Sequence, residues 1–124
     1  MSKAAQDFAA ESLKPFDPAA ALNRLDGDEE LLREVVGLVE AEWLHQSEAI
    51  ESAIRRSEIA AIAAAAHALK AAIGQLFSPG HAEGIAGVER AARAGDLVTA
   101  EAAWRVAELQ IPAFLAAARR WAAC

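Results

Sequence analysis

The chain of 124 residues has the length of one ordinary domain, and its 18 acidic and 12 basic residues give a formal net charge of -6. This charge disfavours a partner approached through its phosphate backbone, such as DNA or RNA. Hydrophobic residues make up 55% of the chain, and much of that share is alanine, which favours helices. The single cysteine, Cys124, excludes an internal disulfide.

The N-terminal residues lack the features of a targeting segment. Met1 to Phe8 carry Lys3 and Asp7 and contain no apolar stretch of the kind that a secretory signal needs. No uncharged apolar run approaches the roughly 20 residues required to span a bilayer. We therefore expect a cytoplasmic protein that does not enter a membrane.

The first part of the chain predicts an N-terminal segment and a short helix. Residues 1–15 form a partly helical segment, with a first helix over Ser2 to Lys14 that uses Leu13 on its apolar side. Residues 16–124 then form a helical domain. In this domain Asp17 caps a brief helix that starts at Pro18 and ends at about Leu25.

A long helix and a bundle-forming helix follow. Asp28 caps the long helix, which ends at about Arg56 and has apolar residues at helical spacing: Leu32, Val36, Val39, Trp43, Ile50 and Ile54. Ser57 is predicted to cap the next helix. Its apolar residues alternate steps of three and four, the pattern of a packed bundle: Ile59, Ile62, Ala66, Leu69, Ile73 and Leu76.

Two further helices complete the prediction. Ser78-Pro79-Gly80 interrupts the chain, and a helix from about His81 to Ala94 follows, with His81 exposed at its start. Asp96 caps the last helix, and Pro112 kinks or splits it near Gln110. The helices bury Trp43, Trp104 and Trp121 in the core.

His67 lies on the wrong side of its helix for a core residue. On a helical wheel it points about 130° away from the centre of the apolar seam. Small residues surround it on that side, and Lys70 follows one turn later, within reach of the imidazole edge. An exposed imidazole on a rigid helix beside a cation suits a phosphoryl acceptor, although a solvated surface histidine has the same pattern.

The run Ala66-His67-Ala68-Leu69-Lys70-Ala71 resembles the signature of the histidine phosphotransfer (HPt) family, in which His is followed by any residue, Leu, Lys and Gly. The likeness extends to residues 16–32, which are similar to the opening of the family, and to residues 88–96, which are similar to its fourth helix. It covers roughly residues 16 to 122. Ala71 and Phe77 stand where the family usually has Gly.

This resemblance implies an antiparallel four-helix bundle with an accessory N-terminal helix. It also implies that the protein is a phosphoryl carrier in a two-component phosphorelay and has no enzymatic turnover of its own. His67 would accept the phosphoryl group through Nε2, Lys70 would steady the phosphoryl oxygens, and Glu89 would accept a hydrogen bond from Nδ1 and orient the imidazole. No cofactor is expected, because the partner receiver domain supplies the Mg²⁺.

The expected partner is a response-regulator receiver domain or a hybrid histidine kinase, bound by a monomer. The predicted docking surface consists of small residues near His67 and one leucine from the N-terminal part: Ala63, Ala64, Ala71, Gly74 and Leu22. Ala71 and Phe77 also leave open an alternative function. In that alternative the chain is a helical interaction module that binds a receiver or kinase as a scaffold or inhibitor and accepts no phosphate.

One pair of residues has the spacing of metal ligands. Glu42 and His45 have the spacing that di-iron bundles use to place two ligands on one helical face. Such a site needs a second copy of the motif, and the sequence contains none. We therefore expect no metal ligands and a solvated His45.

Overall fold

The computed structural model describes residues 15–124, and every element in this range is an α-helix. The helices are α1 (Pro18–Asn23), α2 (Glu29–Arg55), α3 (Ile59–Gly74), α4 (Pro79–Arg93) and α5 (Leu97–Ala122). The predicted helix over Ser2 to Lys14 lies outside the described residues. None of the five helices is long and apolar enough to cross a membrane.

Three aspartates begin helices as predicted. The side chain of Asp17 accepts a hydrogen bond from the N–H of Ala20 at 3.2 Å. Asp28 accepts from the N–H of Leu31 at 3.0 Å, and Asp96 accepts from the N–H of Thr99 at 3.0 Å. Each carboxylate satisfies a backbone donor that has no partner within its helix, so the starts of α1, α2 and α5 are defined locally.

The prediction that Ser57 caps α3 is wrong. Ser57 has a left-handed backbone conformation, with φ of 54°, and it lies just beyond the C-terminal end of α2. The N–H of Glu58 donates to the carbonyl of Ala53 at 2.9 Å, which is the six-to-one bond of a Schellman ending. Ser57 therefore terminates one helix, and Glu58 stands at the start of α3 without a side-chain cap.

The four long helices close into a bundle. Helix α3 packs against α2 and α4, and α5 packs against α4 and α2, while the short α1 contacts α2. The expected all-α bundle with an additional N-terminal helix is thus confirmed. The largest fully buried side chains lie between the four helices: Trp104, Leu32, Ile50, Ile62, Leu69, Ile73, Leu76, Ile85 and Ile111.

The tryptophans differ in burial. Trp104 is fully buried, as predicted, and its Nε1–H donates to Glu51 at 2.7 Å. Trp43 packs against Trp104 with 5.5 Å between ring centroids, but it is only partly buried, and Trp121 is also partly buried. The prediction of three core tryptophans is therefore right for Trp104 and overstated for the other two, which lie at the edge of the core.

Helix α5 continues through Pro112, so of the two predicted outcomes, a kink or a split, the split does not occur. Proline removes one backbone donor from the helix, and this loss alone does not end it. Buried residues on both sides, Ile111, Phe114 and Leu115, anchor this turn in the core. Packing therefore offsets the local cost of the proline.

The prediction that His81 is exposed is also wrong. Helix α4 begins at Pro79, and His81 is buried with its ring stacked on Phe114 at a centroid distance of 4.5 Å. Its Nδ1 lies 2.5 Å from the hydroxyl of Ser78, which supplies a polar partner inside the core. Burial lowers the pKa of His81 below its usual value.

Candidate functional site

Helix α3 fixes the orientation of His67. Ile62, Leu69 and Ile73 on this helix are fully buried, so the opposite side of the helix faces solvent. The side chain of His67 lies on that side and is 61% exposed. The exposure predicted from the wheel is confirmed.

Glu89 lies on α4, at the side that faces α3. Val88 and Ala92 on this helix are buried, and the Glu89 side chain next to them is only 8% exposed. Burial of a carboxylate is costly unless several donors satisfy it. Neighbouring side chains provide these donors, and no buried side-chain polar atom within residues 15–124 lacks a hydrogen-bond partner.

Three side chains converge on the Glu89 carboxylate. His67 Nδ1 lies 3.0 Å from Oε2, and Lys70 Nζ donates to Oε1 at 2.8 Å. Arg93, one turn further along α4, donates to Oε2 through Nε at 2.9 Å and through Nη2 at 2.8 Å. The carboxylate thus links the imidazole to two cations from two different helices.

This network determines the charge of Glu89. Hydrogen bonds from Lys70, which has the largest effect, and from Arg93 and His67 together lower the pKa of Glu89 to about 2, against the opposing effect of burial. Glu89 is therefore ionised near neutral pH. With two cations on one carboxylate, the cluster keeps one net positive charge in a chain that is acidic overall.

The ionised carboxylate also selects the histidine tautomer. A carboxylate only accepts hydrogen bonds, so Nδ1 of His67 must carry the hydrogen that it donates to Oε2. In the neutral ring Nε2 then carries a lone pair and no hydrogen. Within residues 15–124 no side chain forms a hydrogen bond with Nε2, and this atom is available as a nucleophile.

The small residues predicted to surround His67 differ in their exposure to solvent. Ala64 and Ala71 are exposed, and a Cβ added at Gly74 would meet no atom within 4 Å, so this side of α3 is open. The assignment of Ala63 to the exposed docking surface is wrong, since this residue is only 6% exposed. Helix α3 packs against two helices, and its buried sector is wider than one apolar seam.

The side of α3 that carries Ala71 and Gly74 borders a groove, and Leu22 is not among the residues that line it. Leu22 packs partly buried against the core. The groove beside Ala71 and Gly74 is lined instead by side chains from α2 and from the connection between α1 and α2, including Arg24, Leu25, Val35 and Leu38. Leu38 is 66% exposed. The sequence contained a signal for this exposure, because Leu38 does not fall among the regularly spaced apolar residues of its predicted helix.

Phe77 lies at the C-terminal end of α3. It has a left-handed backbone conformation, with φ of 51°, and its side chain is exposed. The guanidinium of Arg24 lies 5.1 Å from the centre of its ring, a cation–π contact. Phe77 thus presents an exposed ring beyond the end of α3, and Ala71 is exposed as well.

Sequence reasoning missed Arg93. The signal was present, because a basic residue four positions after Glu89 on a predicted helix is placed to pair with it.

Glu42 and His45 do not form part of a metal site in the structure: His45 is exposed, Glu42 accepts a hydrogen bond from Gln46, and residues 15–124 contain no cluster of three or more side chains that could hold a metal ion.

Comparisons of the chain with family models, with curated proteins and with solved structures give no match. The functional interpretation of the cluster around His67 therefore depends on its own geometry and on the resemblance carried by residues 66–71.

Proposed function

We propose that this protein is a histidine phosphotransfer protein, in which His67 carries a phosphoryl group between the aspartates of receiver domains in a two-component phosphorelay. One observation carries the proposal. The His67 ring is 61% exposed, and its Nδ1 lies on the Glu89 carboxylate, which leaves Nε2 as the free nucleophile. A hydrogen bond between an exposed imidazole and a largely buried carboxylate is an arrangement typical of functional sites, and it supports a role for His67 beyond that of a solvated surface residue.

The chemistry that fits this site is in-line phosphoryl transfer. Nε2 attacks the phosphorus of an aspartyl phosphate, the Nε2–P bond forms, and the P–O bond to the aspartate breaks. Lys70 contacts the same carboxylate as His67 and follows it by one helical turn, and in this proposal it steadies the phosphoryl oxygens. The receiver supplies Mg²⁺ and the protein itself acts as a carrier without turnover, as a monomer in the cytoplasm.

The surface around His67 supports a transient protein partner. Ala64 and Ala71 leave the imidazole accessible, and the groove with Leu25, Val35 and Leu38 offers apolar contact area on one side. The net positive charge of the Glu89 cluster attracts an aspartyl phosphate. A contact of small area suits a relay, in which the partners must separate after transfer.

The proposal is tested by transfer from a panel of ³²P-labelled receiver domains to the purified protein. We expect at least one receiver to lose its label to this chain and the His67→Gln variant to accept none. His45→Gln is the matched control, because His45 is an exposed histidine on α2 and must leave transfer unchanged. Equal labelling of the natural chain and of His67→Gln contradicts the proposal.

One contact favours the alternative of a phosphotransfer-inactive interaction module. The ammonium of Lys70 is already bound to Glu89 at 2.8 Å, so one of its three N–H donors is in use and its position is set by this carboxylate. If a receiver binds the protein tightly and retains its label, the interaction module is the better assignment. Ala71→Gly and Phe77→Gly then test whether the departures from the family signature block transfer.

A further inference from the structure

The Glu89 carboxylate holds two cations of different kinds. Lys70 reaches it from α3 through a flexible stem and makes one contact, with Oε1. Arg93 reaches it from the same helix as Glu89, and its planar guanidinium makes two contacts, both with Oε2. The arginine is thus the more firmly fixed partner, and the lysine is the one that is able to leave.

Phosphorylation of His67 would give Lys70 a second anionic partner besides Glu89. A phosphoryl group on Nε2 brings added negative charge and acceptor oxygens to the exposed edge of the ring. Lys70 is one turn from His67 and partly exposed, so its ammonium is able to turn from Glu89 toward these oxygens. If Lys70 were the only cation on Glu89, this movement would leave a carboxylate that is 8% exposed without a charged partner.

We propose that Arg93 is a positioning residue for phosphotransfer, because it keeps Glu89 ionised and paired and thereby releases Lys70 to the phosphoryl group. This inference rests on the proposed function of His67. During transfer the Nε2–P bond forms while the P–O bond of the donor breaks and its electron pair leaves with the donor. The hydrogen on Nδ1 stays on the ring and continues to bond to Glu89.

The proposal predicts a specific dependence between two side chains. With Arg93 present, loss of Lys70 removes a contact to the phosphoryl group, and Lys70→Met slows phosphorylation of His67 about tenfold, the effect of one charge-assisted hydrogen bond. In Arg93→Gln the lysine is the one cation of this pair left on Glu89 and is held there more strongly, so most of its contribution to the phosphoryl group is lost. A further Lys70→Met change then slows the reaction less than about twofold.

The chain offers a matched control for this dependence. Arg90 lies on the same helix three residues before Arg93, is exposed, and pairs with Glu83 at 2.8 Å instead of with Glu89. Arg90→Gln removes the same charge and must leave the effect of Lys70→Met at about tenfold. Glu89→Gln provides the reverse test, because without the carboxylate Lys70 is free and Arg93→Gln has no further effect.

The experiment measures the rate of His67 phosphorylation by the small donor phosphoramidate, for the single and double variants, with circular dichroism to show that each is folded. Strong coupling between Lys70 and Arg93 that Arg90→Gln does not reproduce supports the inference. Independent, multiplicative effects of Lys70→Met and Arg93→Gln overturn it. This experiment needs no receiver domain, because phosphoramidate is the donor. If no receiver donates its phosphoryl group, the proposed function alone is overturned, and the coupling between Lys70 and Arg93 is still measured.

Discussion

Glu89 shows at the scale of one residue how a largely buried charge is made stable. Its two oxygens accept hydrogen bonds from His67, Lys70 and Arg93, and these donors hold the carboxylate ionised in a place where water alone would not. The same bonds make the carboxylate an orienting group for the imidazole. One residue thus contributes to the stability of the fold and, in the proposed function, orients His67 for phosphoryl transfer.

The lowered pKa of Glu89 predicts acid sensitivity. Its pKa of about 2 in the folded protein lies below the ordinary value of 4.5, so the unfolded chain binds a proton more readily. The stabilising contribution is complete above about pH 4.5 and is lost as the pH falls through about 2. As the pH falls through this range, the free energy of unfolding of the natural protein decreases. We expect this decrease to be smaller by about 2 kcal/mol in Glu89→Gln.

Urea unfolding at a series of pH values measures this difference. Glu51 also has a lowered pKa, chiefly through its hydrogen bond with Arg105, and it contributes to the acid sensitivity of both proteins, so the difference between their curves is the quantity of interest. Glu48→Gln, at an exposed site on α2, is the control and must follow the natural protein. Parallel pH curves for the natural protein and Glu89→Gln would contradict the predicted role of Glu89 in stability.

Some residues of the site were predictable from the sequence and others were not. The exposure of His67 follows from helical periodicity, which is a local property of the chain. The burial of His81 and of Ala63 depends on which neighbouring helix covers them, and one helical pattern contains no such information. Arg93 could be paired with Glu89 by spacing, but its double contact required the rotamers of both side chains.

At the scale of the elements, some helix ends follow from short sequence patterns and others depend on the neighbouring helix. Asp17, Asp28 and Asp96 cap helices as predicted because an N-cap bond joins residues only three positions apart. Ser57 has a residue type that also favours the N-cap, yet it lies in the ending of α2. Three residues, Arg56, Ser57 and Glu58, connect α2 to α3, and all three belong to the ending of α2, so the connection leaves no room for a serine cap.

The position of Ser57 predicts an unusual effect of substitution. A serine with φ of 54° is strained, and glycine adopts this conformation without the same cost. We expect Ser57→Gly to raise the free energy of unfolding by about 0.5–1 kcal/mol, measured from urea midpoints.

Ser57→Ala distinguishes a residue that ends α2 from a residue that caps α3. Alanine retains the strain, and Ser57 provides no side-chain cap to lose, so Ser57→Ala should change stability little. A loss of about 1 kcal/mol in Ser57→Ala, together with no gain in Ser57→Gly, would show that the serine acts as an N-cap after all.

At the scale of the whole molecule, the four long helices bring together residues that are distant in the chain. The bundle was predictable because the helical periods of its apolar residues are clear and its connections are short. The groove with Leu25, Leu38 and Ala71 was not, since it depends on how α2 and α3 are rotated against each other. The pairing of His67 with Glu89 across α3 and α4 was expected only from the family resemblance.

The measurement that tests the central claim most directly is identification of the phosphorylated atom after incubation with a phosphorylated receiver. Because Nδ1 of His67 is bonded to Glu89, the phosphoryl group must be on Nε2. We predict one acid-labile, base-stable phosphoryl group per chain, located on His67 by mass spectrometry and on Nε2 by ³¹P NMR. A phosphoryl group on another residue, or on Nδ1 of His67, would contradict the role that the structure supports for the Glu89 cluster.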